Sequence, residues 1–303
     1  MPIRIDKLEE WAAQDGPLHL ALGVFDGVHV GHRAVIARAV EAARKEGGKA
    51  FVVTFDPHPI RVIAPEKAPA SLLATLDEKA AVLKALGVEG LLVIHFDMTF
   101  AKMDAEEFVR KLLAADVRTI AVGEDWRFGS KRSGDVAMLR RMGGELGFQL
   151  EAVPPVMWDG ERISSTRIRQ AIRDGNFEAV EEMLGRPYEL SGTVIEGRKL
   201  GRGLGFPTAN LRLGERQTPR DGVWSVKVDG ERKGVANLGT RPTVDGGERL
   251  LEVHLFDFSG DLYGKELRVR FGKFLRHERK FGSVEELREQ ILRDAEEARR
   301  FPV

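Results

Sequence analysis

The stretch Gly23-Val24-Phe25-Asp26-Gly27-Val28-His29-Val30-Gly31-His32 leaves an apolar run that begins at Leu18 and enters a helical pattern that reaches Glu46. A strand over 18–25 and a helix over 31–46 are expected, joined by a tight turn. In an open parallel sheet, ligands collect beyond the carboxyl ends of the strands. Gly27 permits a sharp turn, and Gly31 lets an anion approach the backbone. The start of the helix presents unpaired amides to that anion. His29 and His32 are three apart, so they share one side of the first turn. Two imidazoles there can donate to a transferring phosphoryl group and to its leaving oxygen. The bland alternative makes one histidine a cap and the other a surface residue; the pair around Gly31 favours a phosphate site. No third ligand for zinc stands nearby, and the Walker pattern Gly-x-x-x-x-Gly-Lys-Ser/Thr is absent.

Outward from this stretch, the first half continues to alternate. Strands are expected over 50–55, 90–96, 118–122 and 148–153, and helices over 75–86, 104–114 and 135–143. Buried-looking strands separated by helices mean an α/β domain with a mostly parallel sheet. Two short helices over 165–173 and 176–184 follow. Gly185 and Pro187 then end the helical pattern, which places a domain boundary between 1–185 and 186–303. The second half changes period. Strands over 188–195, 223–228, 233–238, 250–258 and 266–271 have no helices between them, as in a small antiparallel β-barrel. A C-terminal helix over 283–299 carries Leu287, Ile291 and Ala295 as its apolar stripe.

Composition narrows the function classes. In 303 residues, 43 % are hydrophobic and 31 % charged, and 47 basic residues balance 47 acidic ones. That balance gives no field for nucleic acid. No cysteine is present, which excludes thiolate chemistry and cysteine-ligated metals. The absence of a long apolar run, and a charged stretch over 1–11, lead us to expect a cytoplasmic chain with no membrane partner. Small molecules are the expected partners, with a monomer or weak homo-oligomer as the assembly.

Other segments bear on the same chemistry. Ser164, Ser165 and Thr166 offer hydroxyls and amides ahead of a short helix, and Arg167 and Arg169 add fixed charge. Asp125-Trp126-Arg127-Phe128 lies just past a strand, as does Asp56-Pro57-His58-Pro59; aromatics there either face a ring ligand or belong to the core. In the second half, Gly201-Arg202-Gly203-Leu204-Gly205 is a flexible wrap, followed by Thr208 and Asn210. If the chain there is extended, those two side chains share a face and can hold Mg2+ beside nucleotide phosphates. Glu252, His254 and Phe256 alternate with Leu251, Val253 and Leu255. An aromatic on the polar face argues that this face is not simply solvent, and it is expected to line an occupied cleft.

These landmarks, in this order, resemble the bacterial bifunctional riboflavin kinase / FMN adenylyltransferase family. The resemblance rests on residues 23–32, 54–59, 122–129 and 163–169 in the first half, and on 201–210, 234–243, 251–258 and 274–276 in the second. It implies a Rossmann-like nucleotidyltransferase domain followed by a β-barrel kinase domain. It further implies two reactions: the γ-phosphate of ATP passes to riboflavin, giving FMN, and AMP from ATP then passes to FMN, giving FAD and pyrophosphate. Carried over residue by residue, His29, His32 and Glu252 are catalytic. Gly23, Phe25, Gly31, Ser164, Ser165, Thr166, Arg167, Gly201, Gly205, Thr208 and Asn210 bind nucleotide, Thr208 and Asn210 also serving Mg2+. Asp56, His58, Asp125, Trp126, Arg127, Phe128 and Arg276 contact flavin. Val24 stands where many members carry Asn, which bears on nucleotide affinity. Other readings stay open: one activity retained with the other module as a structural partner, a non-catalytic flavin or nucleotide regulator, or a redox flavoprotein.

Overall fold

The computed structural model describes residues 2–197, 205–241 and 248–301. Contacts divide the chain into two units, Met1–Ser165 and Thr166–Val303.

The first unit is built on six parallel strands: β1 Ile3–Ile5, β2 Leu18–Leu22, β3 Lys49–Asp56, β4 Gly90–His95, β5 Val117–Gly123 and β6 Gln149–Val153. Their order is β1-β4-β3-β2-β5-β6, with parallel pairing throughout. The chain winds outward in both directions from β2, which is the Rossmann-like arrangement and sets the ligand crevice at its carboxyl end. Side chains alternate between two cores. Leu18, Leu20 and Leu22 join Phe108, Val109 and Leu112 of α4 (Ala105–Leu112) and Leu139 and Met142 of α5 (Val136–Leu146). On the other face, Ala21 joins Val35, Ile36, Ala39 and Val40 of α1 (Val30–Glu46) and Ala80 and Leu83 of α3 (Leu76–Ala85). Between α1 and α3 lies the short α2, Pro59–Ile63. The first strand stops three residues earlier than the sequence suggests, because Phe25 takes a φ of 51° and Val28 one of 42°. The three-residue edge strand β1 and the two-residue pair β7 Met157–Trp158 and β8 Glu161–Arg162 escape a period-based reading altogether.

The second unit begins with α6, Ser165–Asp174, whose first residue still belongs to the first unit, and α7, Phe177–Leu184. Six antiparallel strands then close a barrel: β9 Glu189–Ile195, β10 Ala209–Arg212, β11 Gly222–Val228, β12 Arg232–Arg241, β13 Glu248–Leu255 and β14 Glu266–Arg276, in the order β10-β13-β12-β11-β14-β9. Leu251, Val253 and Leu255 are buried on alternate positions of β13. The opposite face of the barrel meets the C-terminal helix Val284–Arg300. There Phe256 packs with Val223, Val235, Ala295 and Ala298, so the aromatic on the polar side of the strand meets the helix and does not line the cleft expected beside Glu252. At the other side of the barrel, Phe177 of α7 lies 5.7 Å from the Trp224 ring and 5.8 Å from Phe271.

Candidate active sites

Three of the sequence segments meet at the carboxyl edge of the parallel sheet, because they follow β2, β3 and β5. Gly23 N donates to Val53 O, the last sheet-like bond before the turn. His29 then caps α1: its Nδ1 accepts the backbone N–H of His32 at 3.2 Å. An accepting Nδ1 places the proton of the neutral ring on Nε2, which makes that atom a donor. The His29 and His32 rings stack with centroids 3.4 Å apart, and Phe25 meets His32 edge-on at 5.3 Å. His32 is held well below the usual histidine range, first by burial and then by the charges of His29, Lys79 and Arg162. Its Nδ1 is buried with no protein partner. The pair is therefore assembled rather than scattered, and burial favours the neutral form of His32.

Gly31 is part of this assembly. A Cβ there would lie 3.2 Å from His29 Cε1 and 3.3 Å from Nδ1. Gly31→Ala is expected to shift the His29 ring by a fraction of an ångström and to slow nucleotidyl transfer by up to roughly 10-fold, a small share of what a displacement near 1 Å can cost. Comparing steady-state FMN-to-FAD conversion with riboflavin phosphorylation in the same preparation checks it; equal loss of both would mean general misfolding.

Around the pair, Ser165 Oγ donates to Asp26 O at 3.1 Å, tying the serine segment to the turn. Ser164 precedes it, and Thr166 and Arg167 open the second unit on α6. Asp56 ends β3, and His58 caps α2 through its Nδ1. Beyond β5, the Trp126 and Phe128 rings stack at 4.4 Å. Phe128 is buried in the core, and the half-buried Trp126 covers it. Arg127 pairs with Asp135 at 2.5 Å. Asp125 forms a two-pronged pair with Arg162 of β8, whose hydrogen bond holds the carboxyl below its usual range. Sequence reasoning missed Arg162, which sits on a two-residue strand. It also missed Lys79, whose place in a regular helix gives no hint of burial.

In the barrel, register makes the site. Asn210 of β10 and Asn237 of β12 both pair with Glu252 of β13, one from each side. The row Asn210–Glu252–Asn237 thus crosses three strands on the face opposite the buried Leu251 and Val253. Thr208, Glu252, Asn237, His254 and Arg276 line a cavity of about 650 Å³ whose far wall includes Leu287 and Ile291 of the C-terminal helix. Those two belong to the apolar stripe read from the sequence. Asn237 Nδ2 donates to Glu278 Oε1 at 2.8 Å, while its buried Oδ1 has no protein partner. Arg276 is the last residue of β14 and is clamped by Asp294 of the helix, with Nη2 to Oδ2 at 2.8 Å. His254 Nδ1 lies 2.9 Å from Pro207 O. Gly205 is exposed with φ 86°; Gly201 falls outside the described residues. Among the described residues no cluster of three His, Cys, Asp or Glu side chains suits a metal. The hydroxyl of Thr208 and the amide of Asn210 are oxygen donors of the kind that suits a Mg2+ whose remaining ligands are phosphate oxygens.

A glycine–histidine turn at the carboxyl edge of a Rossmann-like sheet and a carboxylate over a barrel cavity suit a nucleotide-dependent transferase. Comparison with known proteins narrows the class. Residues 12–167 match the FAD synthetase family model and residues 184–302 the riboflavin kinase model. The bifunctional riboflavin kinase/FMN adenylyltransferase of Escherichia coli is 44 % identical over 296 residues, covering 96 % of this chain and 94 % of that one. The Haemophilus influenzae protein of the same description is 41 % identical and covers 93 % of each chain. The chain belongs to the bifunctional riboflavin kinase/FMN adenylyltransferase family. A crystal structure described as a macrolide-efflux protein from Streptococcus pneumoniae superposes with a TM-score of 0.86 at 34 % identity, covering 99 % of each chain. Among the described residues, no helix is long and apolar enough to cross a membrane.

Proposed function

We propose that the barrel unit phosphorylates riboflavin and that the sheet unit adenylylates the product, in line with the family's two activities. The observation that carries the division is that residues 12–167 match the FAD synthetase model and residues 184–302 the riboflavin kinase model. In the first step the ribityl 5′-oxygen attacks the γ-phosphorus of ATP, its proton passes to Glu252, and ADP leaves. Asn210 and Thr208 would hold Mg2+, which neutralises phosphate charge when bound. Arg276 and Asn237 orient the flavin within the cavity. In the second step an FMN phosphate oxygen attacks the α-phosphorus of ATP and the bond to pyrophosphate breaks. His29 and His32 donate to the phosphate oxygens. Gly23, Phe25 and Gly31 shape the turn, and Ser164, Ser165, Thr166 and Arg167 cradle the outer phosphates. Asp56, His58, Asp125, Arg127 and Trp126 border the flavin, with Phe128 supporting Trp126 from the core. Free release and rebinding of FMN, a cytoplasmic location, and a monomer or weak homo-oligomer complete the reading. Incubation with riboflavin and Mg-ATP, and separately with FMN and Mg-ATP, resolved into FMN, FAD, ADP and pyrophosphate, tests it: no FMN or FAD from riboflavin removes the first half, and no FAD from supplied FMN removes the second.

We place the functional boundary near 185/186, and fragments probe it. A fragment ending at Leu184 is expected to convert FMN to FAD and not to phosphorylate riboflavin. A barrel fragment starting at Arg186 lacks α7 and uncovers the aromatic group around Trp224 and Phe271. Losing a covering aromatic costs about 1.5–3 kcal/mol, so this fragment should melt roughly 5–15 °C below one starting at Thr166. Equal melting temperatures would show that α7 adds nothing to the barrel.

A further inference from the structure

Lys79 is only 7 % exposed, a rare environment for a lysine. A reciprocal capping box between Thr75 and Glu78 fixes the start of α3 and aims Lys79 under the turn after β2. Its Nζ donates to Val24 O at 2.8 Å and to Thr54 Oγ1 at 3.2 Å. Thr54 Oγ1 in turn donates to the same Val24 carbonyl at 2.9 Å. That carbonyl immediately precedes Phe25, which with Val28 further along the turn is a non-glycine residue with positive φ. Such backbone persists only where its surroundings hold it.

The charged groups that face Lys79 are Asp26 of the turn and Asp56 at the end of β3. On the α1 side, His32 feels Lys79 together with His29 and Arg162. We propose that Lys79 is a positioning residue for adenylyl transfer: its ammonium group grips the Val24 carbonyl and so holds the turn in the shape that presents His29 and His32 to phosphate. The proposal rests on the adenylyltransferase reading of this site. It explains why Val24 can replace Asn, since the turn is gripped through the carbonyl of that residue.

Burial lowers the Lys79 ammonium from 10.5 to about 8, against the pull of Asp26 and Asp56. The grip is therefore charged below about pH 8 and neutral above it. Between about 8 and 10.5 the unfolded chain carries a proton on Lys79 that the folded chain has released, so this residue's contribution to stability rises with pH in that window. The positioning role predicts the opposite trend for rate.

The test uses the full chain, Lys79→Met and Lys79→Arg, with FAD formation from FMN and ATP followed between pH 6 and 10. Riboflavin phosphorylation by the same samples reports on folding. Parental protein that makes no FAD would refute the activity, a result separate from failure of the lysine. The parental rate is expected to fall above about pH 8. Lys79→Met should be at least tenfold slower at pH 7, mainly in kcat, and should lack that alkaline limb. Lys79→Arg, where it folds, should carry the parental rate past pH 9. The imidazole resonances give a readout besides activity: with a cation removed beside it, His32 should titrate at higher pH in Lys79→Met. A Lys79→Met protein with parental rate and an unchanged alkaline limb would overturn the proposal. So would a parental rate loss that merely follows a falling melting temperature.

Discussion

Glu252→Gln is expected to form FMN from riboflavin about 10²–10⁴ times more slowly, the typical worth of a proton-accepting group, while converting supplied FMN to FAD at the parental rate. Glutamine keeps the size of the side chain and its place between Asn210 and Asn237. The buried neighbours Leu251 and Val253 point away from the change. The substitution removes the acceptor for the 5′-hydroxyl proton and leaves the cavity in shape. ATP binding should persist. Single-turnover phosphorylation of riboflavin, run beside a melting curve, is the measurement. A near-parental single-turnover rate would remove Glu252 as the base and leave positioning to carry the step.

His29→Ala and His32→Ala should each slow adenylyl transfer by roughly 10²–10³, the usual cost of a lost transition-state donor, with riboflavin phosphorylation preserved. The two positions differ in what else they do. His29 caps α1, so its alanine variant should also lose about 1 kcal/mol of stability. His29→Asn restores a capping oxygen without the imidazole; stability should return and the rate should not. His32 is stacked on His29 at 3.4 Å, so removing it loosens its partner as well, and the double variant should fall short of the product of the two losses. A double variant that makes FAD at the parental rate would leave both rings as bystanders.

The sequence exposed the chemistry better than the geometry. Buried parallel strands are apolar runs, so β2 through β6 announce themselves, and the two histidines around Gly31 mark the turn. Ile3–Ile5 does not, because three residues at a sheet edge carry no period. Asn237 is set beside Glu252 only by strand register, and no local pattern encodes which residue of β12 faces which of β13. Lys79 follows a good capping box in a regular helix and reads like any solvated lysine; only the turn after β2 packed over it makes it buried. Phe256 shows a related limit. Its place on the polar face suggests an occupied cleft beside Glu252, but the structure packs it against Ala295 and Ala298 of the last helix, a long-range contact that strand alternation does not encode.

That helix also gives the cavity its far wall, through Leu287 and Ile291, and its clamp, through the Arg276–Asp294 pair. Chains leave the ribosome N-terminus first, and domains fold as they emerge. The parallel sheet has all its strands by Val153, whereas the barrel cavity lacks a side until residues beyond Val284 have appeared. On the proposed division, a nascent chain gains the sheet centre, for the second reaction, before the barrel centre, for the first. The order of maturation runs opposite to the order of metabolism.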